Sequence, residues 1–416
     1  MSDLNEYIVT IARAAKKASI GLRTLSADAK NAALRAIAES IDARRADVRA
    51  ANSKDVERGT RVGLSSAMVD RLTLSDKRID EIVGSLWEIA ALEDPVGEII
   101  GVRRPQGFVL EKVRTPIGVI AMIYESRPNV TVDAAALCLK SGNASILRGG
   151  SEAVESSKVL VECIRDALAR VGVDGNAVQY VERTEHDAID YLVKQTGLID
   201  LVVPRGGESL IRRVTENATV PVIKHYKGVC HIYVDETADL VMAAEVVTNS
   251  KVQRPGTCNA LEKLLVEESV AERFLPMVRQ KMPNVEFRGD ERVRSILPGT
   301  KPATEKEWYE EYLDLILTVK VVKGLEEAAA HIEKYGSRHT DGICSTEARH
   351  IEQFVSMVDS AVVMVNASTR LNDGGIFGLG AEVGISTDKL HARGPMGLKE
   401  LTTYKWVLRG NGDIRK

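Results

Sequence analysis

A cysteine stands directly after a polar turn in the segment KVQRPGTCNALEK (251–263), between Arg254 and Asn259. Thiols attack as thiolates, and cations or backbone N–H groups around a turn favour the thiolate. Cys258 therefore has the setting of a nucleophile, with a buried thiol that merely follows a turn as the competing reading. Cys138, Cys163 and Cys344 lie in apolar runs and read as inert small hydrophobes. No Cys-His-Asn arrangement of the hydrolase kind accompanies Cys258 along the chain, and His225 and His231 read as structural.

Two further segments could hold a phosphate. ILRGGSEA (146–153) and VVPRGGESL (202–210) each run from an apolar strand pattern into Arg-Gly-Gly and then into a helix pattern. Glycine lets the backbone approach a ligand, and a helix start offers N–H groups and a favourable dipole. Arg148, Gly149, Gly150 and Ser151 form one candidate cradle, and Gly206 with Gly207 after Arg205 the other. Tight turns alone explain either pair, but two copies in one sheet shift the balance toward a dinucleotide. The GxGxxG fingerprint is absent, and GLGAEVG (378–384) lies outside any strand-helix-strand unit. The five cysteines are scattered without a CxxC pair, which suits neither a disulfide framework nor a zinc site, so no metal is expected and a reducing cytoplasm is.

The elements that must position these residues follow from periodicity. Residues 1–96 read as helices: Ile79, Ile82, Val83, Leu86 and Ile89 recur at helical spacing after Ser75, a good N-cap, and before Pro95. Residues 26–53 form a second such pattern. Segment 97–116 alternates on either side of Pro105-Gln106-Gly107 and predicts a projecting hairpin. From 117 onward short β-branched runs alternate with helical patterns, ending in VPVIKHY, which predicts a parallel sheet covered by helices. The alternation restarts near residue 227 and predicts a second α/β domain.

Composition narrows the partners. The formal net charge of −3, with both signs interspersed, provides no basic field for nucleic acid. IGVIAMIY (117–124), the most apolar stretch, is far shorter than the ~20 residues that span a bilayer. The first residues lack the pattern of a signal peptide. A small-molecule substrate, with no nucleic acid and no membrane, is the expectation.

VQRPGTCNALE, VIAMIYESRPNVTVDAAALCLKSGNASILRGGSEA, IKHYKGVCHIYVD and GLGAEVGISTDKLHARGPMGLKELTTYKW together resemble the gamma-glutamyl phosphate reductases of the aldehyde dehydrogenase superfamily. The resemblance covers nearly the whole chain. It implies an α/β fold of aldehyde-dehydrogenase type: two parallel-sheet domains plus an oligomerisation element built from a β-hairpin and the C-terminal strand. A cofactor-binding domain over 1–96 and 117–227, a catalytic domain over 228–400, and an oligomerisation element over 97–116 and 401–416 would follow. The implied reaction is NADPH-dependent reduction of L-glutamate 5-phosphate to the 5-semialdehyde through a thioester on Cys258, in a homo-oligomer, dimer or tetramer.

By position within that family, Ser126 stands where hydrolytic relatives place an oxyanion asparagine, beside the Cys258 backbone N–H as first donor. Arg148 stands where relatives place a lysine at the adenosine ribose, and its charge suits the 2′-phosphate of NADPH. Glu311 resembles the glutamate that holds the nicotinamide ribose, although Leu313-Asp314 replaces the usual Phe-Gly. Arg127, Arg254 and Arg370 become candidates for the substrate's phosphate or carboxylate, against surface ion pairing. The water-activating glutamate of hydrolytic relatives is missing, and Lys224-His225 stand near its place. That absence speaks against a hydrolytic enzyme; a CoA-acylating one, or a non-catalytic protein keeping the fold, are the other rivals.

Overall fold

The structure, a computed structural model, describes residues 3–105 and 108–415. The chain divides into two compact units: residues up to Lys224 with 379–384 and 396 onward, and His225–Gly378 with 385–395.

The first unit opens with the helices Asp3–Leu22, Ala27–Ala43, Arg45–Arg61, Ser66–Leu72 and Asp76–Ala91. The hydroxyls of Ser26, Ser65 and Ser75 accept from the third N–H of the helices they precede, which satisfies one leftover donor at each start. Ile79, Ile82, Leu86 and Ile89 are buried, and each such side chain adds about 1.5–3 kcal/mol to folding. The predicted continuous pattern over 26–53 is in fact two helices, broken at Arg44, whose N–H still bonds to Ser40.

Strands β1 (Ile99–Arg103) and β2 (Val109–Pro116) form an antiparallel hairpin, and the C-terminal strand Thr402–Arg409 pairs along β2. Of the predicted turn, Gln106 and Gly107 lie outside the described residues. Next come β3 (Val119–Tyr124), β4 (Ala144–Arg148), β5 (Val178–Tyr180) and β6 (Leu201–Arg205), a parallel sheet in the order β5-β4-β3-β6. The chain runs outward from β3 through β4 to β5 and returns to the other side of β3, so the order reverses between β3 and β6. VPVIKHY, expected as a further strand, makes a single bridge from Val222 to Val202. Pro221 has no N–H to give the ladder, which limits the pairing.

The second unit carries β7 (Cys230–Val234), β8 (Leu261–Glu267), β9 (Glu286–Gly289), β10 (Lys301–Pro302), β11 (Ile316–Val322), β12 (Thr340–Cys344) and β13 (Val362–Val365). They form one parallel sheet in the order β10-β9-β11-β8-β7-β12-β13. Both faces are covered: Leu264 and Val266 of β8 pack with Phe274 and Val319, while Leu265 packs with Tyr233, Ile343 and Phe354. Such burial on both sides explains the unbroken apolar runs. Strands β9 and β10 escaped the sequence reading because they are short and polar at alternate positions.

The sequence divided the chain at 227/228 and kept 228–400 together. The compact units instead part after Lys224 and return 379–384 and 396–400 to the first unit. Local bonds account for that: Val383 N–H donates to the Met396 carbonyl, and the Asn143 side chain to that of Leu401.

Candidate active site

Strands β11, β8, β7 and β12 are consecutive neighbours and parallel, so the loops entering them meet at one edge of the second unit's sheet. Those loops carry Glu311, Cys258, His225 to Gly228, and His339. The sulfur of Cys258 and one nitrogen each of His225 and His339 all lie within 4.8 Å of one another. The two imidazoles meet edge to face, with centroids 5.3 Å apart. The resemblance had put Lys224-His225 near the place of a water-activating glutamate, but His339 was not anticipated: nothing in the spacing of residues 225, 258 and 339 signals it, and the strand order brings the three together.

His225 Nδ1 lies 2.8 Å from the Ile385 carbonyl. A carbonyl only accepts, so Nδ1 carries the proton and Nε2 offers the lone pair. His339 is buried and its Nδ1 lies 2.7 Å from Thr340 Oγ1.

The Cys258 turn is braced from both sides. Thr257 Oγ1 donates to the Arg254 carbonyl at 2.8 Å, and Asn259 Nδ2 to the Asn372 carbonyl at 2.8 Å. Beneath the turn lies Gly228: a Cβ there would sit 2.5 Å from the Cys258 carbonyl carbon and 2.6 Å from its Cα. Gly228 N–H donates to Glu311 Oε1 at 2.9 Å. Glu311, assigned from the resemblance to a cofactor ribose, thus braces the glycine beneath the Cys258 turn. Cys230 S–H donates to the Cys258 carbonyl at 3.2 Å. Burial pushes the Cys230 thiol well up, so it keeps its proton, whereas Cys258 itself is partly exposed.

Two predicted arginines share this neighbourhood. Arg370 donates to Asn259 Oδ1 and, through Nε, to Gln253 Oε1 at 2.8 Å. Its pKa is lowered by burial and then by the like charge of Arg254, against the opposite pull of Asp373 and Cys258. Arg254 is exposed.

In the first unit, β3, β4 and β6 end side by side in Glu125-Ser126-Arg127, Gly149-Gly150-Ser151 and Gly206-Gly207. The reversal between β3 and β6 makes this edge the natural crevice of the sheet. Its helix starts are already supplied with carboxylates. Glu125 accepts from Gly207 N–H at 2.6 Å, and Asp55 accepts from the N–H groups of Glu155 and Ser156 at 3.3 and 2.8 Å. One N–H of the second glycine pair is thus engaged, and two in the helix that follows the first pair. Arg148 is buried, donates to the Thr184 carbonyl at 3.2 Å, and has its pKa lowered by that burial, with Tyr180 and Glu152 pulling the other way. The Ser126 hydroxyl donates to Glu152, so its one proton is engaged. Arg127 is exposed at the start of the helix Pro128–Lys140, and Ser151 and Gly207 are exposed.

Among the described residues no helix is long and apolar enough to cross a membrane. Residues 4–300 match the model of the aldehyde dehydrogenase family. The chain is 50% identical over 417 residues, all of both chains, to a gamma-glutamyl phosphate reductase of Thermodesulfovibrio yellowstonii. The crystal structure of a gamma-glutamyl phosphate reductase from Thermotoga maritima matches with a TM-score of 0.97 at 47% identity, covering 98% of this chain and 100% of that one. An acetylating aldehyde dehydrogenase from Geobacillus thermoglucosidasius shares the fold, with a TM-score of 0.70 at 17% identity, over 99% and 98% of the two chains. With its parallel sheets, its cysteine turn and relatives matched end to end, the chain belongs to the aldehyde dehydrogenase family and, within it, to the gamma-glutamyl phosphate reductases.

Proposed function

We propose that the chain reduces L-glutamate 5-phosphate to L-glutamate 5-semialdehyde and phosphate with NADPH, in the cytoplasm, through a thioester on Cys258. The observation that carries this reading is the setting of the sulfur: a partly exposed thiol with two imidazoles within 4.8 Å and the Arg370 guanidinium in electrostatic reach.

His225 Nε2 takes the Cys258 proton, and the resulting thiolate attacks the acyl carbon. The acyl carbon–oxygen bond breaks, and its electron pair leaves with phosphate. Arg254 and Arg370 hold the phosphate or the substrate carboxylate by charge-assisted hydrogen bonds, with Arg127 a third candidate in the first unit. The Cys258 backbone N–H stabilises the developing oxyanion, and Ser126, the second donor proposed from the resemblance, has its proton engaged by Glu152. When bound, the nicotinamide supplies the hydride that turns the thioester to the aldehyde level. Protonated His225 then returns its proton as the sulfur leaves. Lys224-His225 in place of a water-activating carboxylate keeps the thioester for hydride rather than hydrolysis.

The first unit's residues fit a dinucleotide in part. Exposed Ser151 and Gly207 line the carboxyl edge of the sheet, and buried Arg148 is the cation for a 2′-phosphate, opposed by Glu152 on the same turn. Glu311 positions Gly228, and a ribose contact by the same carboxylate would add to that role. Assembly into a homo-oligomer is proposed to run through the sheet of β1, β2 and the C-terminal strand.

The test is oxidation of glutamate 5-semialdehyde by NADP+ with and without inorganic phosphate. Turnover that requires phosphate, and is abolished in Cys258→Ala while NADPH still binds, is expected. Equal turnover without phosphate, or a Cys258→Ala rate near wild type, rejects the reading.

A further inference from the structure

The three groups around the nucleophile are also a set of metal ligands. One thiol sulfur and two imidazole nitrogens lie within 4.8 Å of one another, whereas a tetrahedral zinc ion with bonds of about 2.0–2.3 Å holds such ligands about 3.3–3.7 Å apart. Side-chain shifts of about an ångström close that difference. Ligand chemistry favours a soft to borderline cation, since thiolate and imidazole together select zinc over magnesium or calcium.

The surroundings of the ligands match those of metal-bound histidines. His225 gives its Nδ1 proton to the Ile385 carbonyl at 2.8 Å, which orients the ring and leaves Nε2 as the ligand nitrogen. His339 has Thr340 Oγ1 at 2.7 Å from Nδ1, and a metal on Nε2 would select the tautomer in which Nδ1 donates there. Thr340 Oγ1 is fixed in turn by the Asn372 amide at 2.6 Å. Cys258 is partly exposed, so a cation has a path to the sulfur.

We infer that Cys258, His225 and His339 form a reversible binding site for Zn2+, with a water in the fourth position, and that occupancy takes the nucleophile out of service. Binding exchanges the thiol proton for a metal–sulfur bond and releases that proton to solvent, so occupancy falls as pH falls. Arg370, whose pKa reflects both Cys258 and Arg254, adds like charge to the neighbourhood. That charge opposes the cation and suits a site that fills and empties rather than one holding a resident ion. Cys230, whose thiol is turned to the Cys258 carbonyl at 3.2 Å, stays outside the ligand set.

Cobalt(II) is the spectroscopic probe, titrated into the full chain. One equivalent is expected to raise a thiolate-to-cobalt charge-transfer band, displaced by Zn2+ and absent in Cys258→Ser. His225→Asn and His339→Asn are each expected to weaken the cobalt affinity at least about tenfold, since losing even an outer partner of a ligand costs that much. No band, a band that survives Cys258→Ser, or one indifferent to both histidine substitutions overturns the site. Should a variant fail to fold, iodoacetamide labelling of the unsubstituted chain decides: Zn2+ slows alkylation of Cys258, and an unchanged rate refutes the inference. These readouts are independent of turnover. A chain that reduces the acyl phosphate yet binds no cobalt refutes only the metal site, and one that binds cobalt at Cys258 yet lacks phosphate-dependent turnover refutes only the proposed reaction.

Discussion

The reactivity proposed for Cys258 rests on what its neighbours leave it. A thiol buried among apolar side chains is pushed up: Cys138 and Cys344 both rise to about 12 through desolvation, and at neutral pH they stay protonated. Cys258 is spared that burial by the polar turn before it, which was visible in the segment QRPGTC. What the segment did not reveal is the glycine under it. Gly228 sits where any Cβ would overlap the Cys258 backbone, so Gly228→Ala must push the turn away and break the bond to Glu311. Misplacing a nucleophile by about 1 Å costs on the order of a hundredfold in rate. Gly228→Ala is expected to lose kcat by about that factor while the thermal unfolding temperature moves only a few degrees. A kcat within twofold of wild type shows that the turn relaxes without harm.

At the scale of elements, the two sheets use opposite edges. Strands β3, β4 and β6 present their carboxyl ends, as expected for a nucleotide crevice, whereas Cys258, His225 and His339 enter at the amino ends of β8, β7 and β12. The rule that ligands gather at carboxyl ends therefore located the glycine turns and missed the histidines. Glu125 and Asp55 satisfy some of the N–H groups at the helix starts there. Arg148, the last residue of β4, is left as the first unit's clearest cation for a phosphate. Arg148→Ala is expected to raise the Kd for NADPH about tenfold or more, the worth of one charge-assisted contact, and to leave NADH nearly unchanged. Equal weakening of both, measured by fluorescence titration, removes the 2′-phosphate assignment.

For the whole molecule, the most telling exposed surface is the small sheet of β1, β2 and the C-terminal strand. Tyr404, Trp406 and Leu408 alternate along one face of that strand and are 47–54% exposed, with the Lys112 ammonium 3.7 Å from the Tyr404 ring centroid. A ribbon with large exposed aromatic residues marks a contact surface. Trp406→Glu is expected to shift the chain toward monomer in light scattering after size-exclusion chromatography, with its secondary structure intact. A wild-type chain that is already monomeric at micromolar concentration, or a variant of unchanged mass, places the oligomer contact elsewhere or nowhere.

The sequence by itself determined whatever depends on near neighbours. Period-two and helical runs set the alternation of strands and helices, Ser75 set a helix start, and the polar turn at 254–257 marked Cys258 among five cysteines. Each of these is fixed by local torsions, capping or hydrophobic period, so a one-dimensional pattern records it. Only the tertiary structure decided that His225 and His339 reach the sulfur, that Glu311 braces Gly228, and that 379–384 and 396–400 join the first unit rather than the second. Those outcomes depend on the order in which parallel strands lie beside one another, a choice made by packing across the sheet and left unwritten in the spacing along the chain.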